Sequence, residues 1–206
     1  MKNKLNRILV IVFLGYCVFG LINCKKPLIK NTNNLGKDII CFGDSITFGY
    51  GVSAEENYPT ALAKMVSYTV INAGIDADTS VEALGRLDSD VLSRQPFLVI
   101  VEFCGNDFLR KIPIEVTEKN IREMTQKIQQ SGAMVVIVDI SAGMFLKDYR
   151  RMFRKIAYEE GAIFVPAVLN GIITNPSMKS DFLHPNGSGY KIVAERVCKA
   201  ISSYLN

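Results

Sequence analysis

From Asp38 onward, short apolar runs alternate with stretches in which apolar residues recur every three or four positions. The runs 39–42, 69–72, 97–103, 134–140 and 162–165 are the right length for buried strands, and their continuous apolar character predicts a largely parallel sheet. Between them lie helical patterns. Thr79-Ser80-Val81-Glu82 reads as a capping box opening a helix with Val81, Leu84, Leu87 and Val91 on one face. Ile121, Met124 and Ile128 mark a second helix, and Tyr190, Val193, Ala194, Val197 and Ile201 a third. Strands alternating with amphipathic helices predict an α/β fold, in which sites gather at the carboxyl ends of the strands.

Upstream of this domain the pattern changes. Lys2, Lys4 and Arg7 precede an apolar run at 8–22, followed by Leu21-Ile22-Asn23-Cys24. Fifteen residues rise about 22 Å as a helix, short of a hydrocarbon core of about 30 Å, which predicts an export signal over 1–23 rather than a stable span. Leucine three residues before a cysteine resembles a bacterial lipobox, so Cys24 is the expected lipidation site. The domain would then sit in the cell envelope, lipid-anchored and facing outside the cytoplasm. Asn23 departs from the small residue usual there, leaving an uncleaved anchor or plain secretion as alternatives. Residues 24–37 are polar and turn-rich and read as a tether, with a single domain over 38–206.

Charge and cysteine usage narrow the function classes. Removing the three early cations from the 24 basic residues leaves 21 against 20 acidic ones, too balanced for a nucleic-acid partner. Cys41, Cys104 and Cys198 form an odd set without a Cys-x-x-Cys pair and are expected as thiols. One histidine and no Cys/His cluster argue against a metal site.

Four polar blocks follow predicted strands or precede helices. Gly43-Asp44-Ser45 sits directly after the first strand, where a serine hydroxyl and its own N–H can face the sheet edge; alone it reads as a polar turn. It is not a Gly-x-Ser-x-Gly elbow, because position 47 is Thr. Asp181-Phe182-Leu183-His184 holds the only imidazole, and a serine nucleophile needs a base that titrates near neutrality. Asp181, three residues upstream, can fold back to fix the tautomer, although a capping histidine fits the same segment. Cys104-Gly105-Asn106-Asp107 ends the most apolar strand, where Asn106 could donate to an oxyanion and Asp107 could tie down the loop. The segment 72–79 offers backbone N–H groups ahead of a helix.

Together, in this order, the four blocks resemble the GDSL-type, or SGNH, serine hydrolases, nearest to the bacterial acyl-CoA thioesterase I, lysophospholipase L1 and arylesterase group. The resemblance runs from about Ile39 to Ile201. It implies a three-layer α/β/α sandwich of flavodoxin-like type with a five-stranded sheet. It further implies a Ser45–His184–Asp181 triad, an oxyanion hole from the Ser45 N–H, the Ala77 N–H and the Asn106 amide, and no cofactor. The substrate would be a small-molecule or lipid acyl ester or thioester. Two positions depart from the family pattern. Ala77 stands where the family has glycine, which leaves it a competent donor provided its φ is negative, and Cys104 replaces a glycine, where it could narrow the acyl pocket. Phe48, Tyr50, Phe108, Leu109 and Met144 are expected to line an acyl groove. Rival readings are a carbohydrate O-deacetylase and a lipid-anchored binding protein that retains the fold without turnover.

Overall fold

The computed structural model describes residues 27–144 and 146–205; the expected signal at 1–23 and Cys24 lie outside the described residues. Five strands form one sheet: β1 (Asp38–Gly43), β2 (Thr69–Asn72), β3 (Leu98–Glu102), β4 (Met134–Val138) and β5 (Ile163–Val165), in the spatial order β2-β1-β3-β4-β5. All four pairings are parallel, with Ile40 facing Ile71 on one side and Val99 on the other. Every residue of β3 and β4 is buried, which explains their unbroken apolar runs. Each fully buried Val, Ile or Leu contributes about 1.5–3 kcal/mol relative to exposure. Edge strand β2 is half-exposed, and its sequence is correspondingly less apolar.

Seven α-helices flank the sheet among the described residues: α1 (Ser45–Phe48), α2 (Tyr58–Ala63), α3 (Ser80–Asp90), α4 (Gly105–Leu109), α5 (Ile114–Gln130), α6 (Lys147–Glu160) and α7 (Gly187–Ile201). Right-handed crossovers place α2, which connects β1 outward to β2, on the face opposite α3, α5 and α6, which connect strands in the other direction. The packing agrees: α2 lies against α7, whereas α3 meets α5 and α5 meets α6. The result is a three-layer α/β/α sandwich whose strand order reverses between β1 and β3. The capping box is present, with the Thr79 side chain accepting from the Glu82 N–H and the Glu82 carboxylate accepting from the Thr79 N–H. Helix α6 was not apparent in the pattern because charged residues crowd it, yet Tyr149, Met152, Phe153, Ile156 and Ala157 form a buried stripe.

The stretch 27–37 is not a free tether. Lys30 N–H donates to the Gly161 carbonyl at 3.0 Å, and the Asn31 amide donates to Gln129 and Ala133 carbonyls at 2.8 and 2.9 Å. The Asn34 amide reaches the Gly132 and Pro96 carbonyls at 2.6 and 3.1 Å. Side-chain amides thus satisfy carbonyls at the amino ends of β3 and β4, and the Lys30 N–H satisfies one at the amino end of β5. Hydrophobic periodicity does not register such a strap, because its bonds are polar and Leu28 and Leu35 stay exposed.

Candidate active site

Ser45 follows β1 at the point where the chain turns from strand to helix. Asp44 caps that turn, its carboxylate accepting from the Ile46 N–H at 3.1 Å, and Gly43 leaves no room for a Cβ between the Thr47 hydroxyl and the Glu102 carboxylate. Gly74 is needed for a different reason: a Cβ there would run into the Phe48 backbone, so the loop after β2 can lie directly against the serine turn. This close approach brings the 72–79 segment to the reversal of strand order, where crevices open in such sheets.

The only histidine reaches this turn from the far end of the chain. His184 Nε2 lies 3.0 Å from Ser45 Oγ, and Nδ1 lies 2.8 Å from Asp181 Oδ2. Asp181 Oδ1 also accepts from the Leu183 and His184 N–H groups at 2.7 and 2.9 Å, an Asx-type turn that orients the carboxylate toward the ring. Burial opposes ionisation of Asp181, but the hydrogen bonds from the His184 ring and these two N–H groups outweigh it and hold the carboxyl below its usual range. Tyr50 packs on the imidazole at 4.5 Å between centroids, and the Ser180 N–H donates to the His184 carbonyl at 2.9 Å, so ring and backbone are both held.

Asn106 enters from the end of β3. One amide hydrogen bonds the Asp78 carbonyl at 3.0 Å; the other has only a long 3.4 Å contact with Asp44 Oδ2 and can serve a ligand. Asp107 ties down the loop, accepting from Ser80 N–H, Ser80 Oγ and Thr117 Oγ1 at 2.8, 2.5 and 2.6 Å. Among the described residues, neither the Ser45 N–H nor the Ala77 N–H has a protein acceptor. The condition placed on Ala77 fails, however: its φ is +62°, in the left-handed region that costs an alanine about 1–2 kcal/mol. The strain is held from both sides, since Arg110 donates to the Ala77 carbonyl at 2.7 Å and Asn106 to that of Asp78.

A cavity of about 390 Å³ opens beside Ser45, Ala77, Asn106 and His184. Its walls are mainly Ile46, Leu109, Ile140, Leu146, Leu169 and Ile173. Of the five expected groove residues only Leu109 lines it. Phe48 and Met144 are exposed, Phe108 packs edge-on against Tyr149, and Tyr50 serves the imidazole. Cys104 is buried outside the cavity, so it does not narrow the pocket, and burial above all pushes its thiol well up. The walls missed in the sequence come from the loops after β4 and β5. Buried Asp139 shapes both: its carboxylate accepts from the Ser141 and Ala167 N–H groups and from Arg150. A carboxylate ending an apolar run was the available signal.

Residues 41–192 match the GDSL-like lipase/acylhydrolase family. The chain is 32% identical to an arylesterase of Vibrio mimicus over 188 residues, covering 86% of this chain and 94% of that one. It is 29% identical to the thioesterase 1/protease 1/lysophospholipase L1 of Escherichia coli K12, over 82% of this chain and 85% of the relative. The crystal structure of TesA superposes with a TM-score of 0.77 at 27% identity, covering 82% of this chain and 99% of that structure.

Proposed function

This chain belongs to the GDSL-like lipase/acylhydrolase family and is a serine ester or thioester hydrolase, and from that premise we propose that Ser45, His184 and Asp181 are its catalytic triad. The 3.0 Å contact between His184 Nε2 and Ser45 Oγ carries this reading. His184 takes the hydroxyl proton as Ser45 Oγ bonds to the acyl carbon, and the C=O π electrons move onto the oxygen. The Ser45 N–H, the Ala77 N–H and the free Asn106 hydrogen hold that oxyanion. As it collapses, His184 returns the proton to the departing alcohol or thiol, and water repeats the cycle to free the acid. The positive φ of Ala77 leaves its N–H available and carries only a modest conformational cost.

The apolar cavity wall favours an acyl chain over an acetylated sugar, whose hydroxyls would lose water without gaining partners. Aryl esters, acyl-CoA and lysophospholipids, offered side by side with acetylated xylan fragments, test this; preference for the sugars would reverse it. Asn106→Ala should lower kcat by about 100- to 1,000-fold with little change in KM, the usual cost of one lost oxyanion donor. Loss expressed only in KM would assign Asn106 to substrate binding instead.

The envelope reading rests on the lipobox-like Leu21-Ile22-Asn23-Cys24, with lipid on Cys24. Cys24→Ser should release the protein from the membrane fraction. Retention of that variant with residues 1–23 intact would favour an uncleaved anchor.

A further inference from the structure

Beneath the serine turn lie two carboxyl groups that the mechanism above does not use. Asp44 and Glu102 are both buried, and among the described residues neither forms an ion pair. They stand within hydrogen-bonding reach of each other. Glu102 Oε2 accepts from Thr47 Oγ1 at 2.8 Å, and since that uses the one Thr47 proton, the 3.2 Å Tyr58 OH–Thr47 contact is donated by Tyr58. Glu102 Oε1 is the one buried side-chain polar atom among the described residues without a partner. This oxygen makes no hydrogen bond in a buried site shared with the Asp44 carboxyl, and the Asp44 N–H that also lies near the Glu102 carboxyl is already given to the Glu102 carbonyl at 3.3 Å, so a proton of its own is what would satisfy it.

We infer that Glu102 is a positioning residue that stays protonated at neutral pH and donates through Oε1 to Asp44, fixing the carboxylate that caps the Ser45 turn and faces the Asn106 amide. The chain of bonds then has one direction: Tyr58 to Thr47 to Glu102 to Asp44, which also accepts from Ile46 N–H and lies 3.4 Å from Asn106 Nδ2. With one proton on the pair, a single negative charge lies under the oxyanion donors rather than two. A doubly ionised pair would oppose the oxyanion and draw the Asn106 hydrogen toward itself.

The surroundings favour the neutral acid. Burial is the main reason Glu102 is raised well above the carboxylate range, and the Asp44 charge adds to it. Asp44 is pushed up to about 7, again by burial, with bonds from Ile46 and Glu102 holding it lower and Asp107 and Asp78 raising it. Cys41, Tyr58, Cys104 and Tyr190, the other titratable groups facing the pair, are all raised, so they are neutral around pH 7. Asp139 adds further negative charge near Cys104. Arg86, which donates to the Gly43 carbonyl, is already paired with Asp78 and Asp90.

The inference rests on the assignment of Ser45 and Asn106 above, but its proton can be tested apart from activity. Infrared difference spectra of the full chain at pH 7 should contain a buried carboxylic-acid C=O stretch that Glu102→Gln removes. Glu102→Ala should lower kcat by about 10- to 100-fold with KM little changed, the cost of a loosened turn. Glu102→Gln should restore most of that loss, because its amide donates to Asp44 while its carbonyl accepts from Thr47. Glu102 has a folded pKa above its unfolded one, so its contribution to stability fades as pH rises from the unfolded value toward the folded one. The Tm advantage of Glu102→Gln over the natural chain should therefore widen from pH 5 to 9. An absent acid stretch, or a Tm difference that ignores pH, would overturn the proton; Glu102→Gln as slow as Glu102→Ala would overturn the positioning role. If Glu102→Ala does not fold, the spectra and the pH series still decide.

Discussion

Ser45→Ala should abolish ester hydrolysis, lowering kcat by about a million-fold while leaving the fold intact. The size follows from chemistry: without Oγ no acyl-enzyme forms, and only oxyanion binding and proximity remain. The fold should survive because, among the described residues, the one side-chain partner of Ser45 Oγ is His184 Nε2, whose segment is held independently by the Asp181 turn and the Ser180–His184 backbone bond. His184→Ala should cost a similar amount, and the double variant no more than either single one, since both residues act in one step. Turnover of a short-chain aryl ester, fluorophosphonate labelling and thermal unfolding measure all three. Undiminished turnover in purified Ser45→Ala, with no labelling of the natural protein, would defeat the triad.

Asp181→Asn should lower kcat by about 10³- to 10⁴-fold. The substitution preserves an oxygen for the Leu183 and His184 N–H groups, so the turn remains, but it presents an NH₂ where Nδ1 needs an acceptor. The ring then adopts the tautomer with hydrogen on Nε2 and cannot take the Ser45 proton. The side chain of Asp181 is 43% exposed, and solvent screening sets the expectation toward the lower end of the range. Asp181→Ala loses turn and acceptor together, so its Tm should fall where that of Asp181→Asn does not. A loss of under tenfold for Asp181→Asn would reduce Asp181 to a turn residue.

Much of the reacting centre was legible because chemistry allows few candidates. One imidazole exists in the chain, a carboxylate stands three residues before it, and a serine follows the first apolar run. The strands were legible for a related reason: a parallel sheet covered on both faces demands continuous apolar runs, and β3 and β4 supply them. The cavity walls were not. Leu146, Leu169 and Ile173 lie over a hundred residues from Ser45, and an apolar residue that lines a pocket has the same local signature as one that fills a core. Glu102 did carry a signal, a carboxyl inside the most apolar run, but its meaning needed Asp44 and Thr47 beside it.

The sequence by itself determined the alternation of strands and helices, the few side chains able to serve as nucleophile and base, and the short-range Asp181–His184 pairing, because these follow from periodicity, residue chemistry and contacts within one turn. Tertiary structure alone decided the left-handed backbone at Ala77, the docking of the 27–37 strap and the burial of Glu102 Oε1 without a hydrogen-bond partner among the described residues. Each depends on groups that the chain brings together from distant positions, and burial there changes both the hydrogen bonds available and the cost of carrying charge.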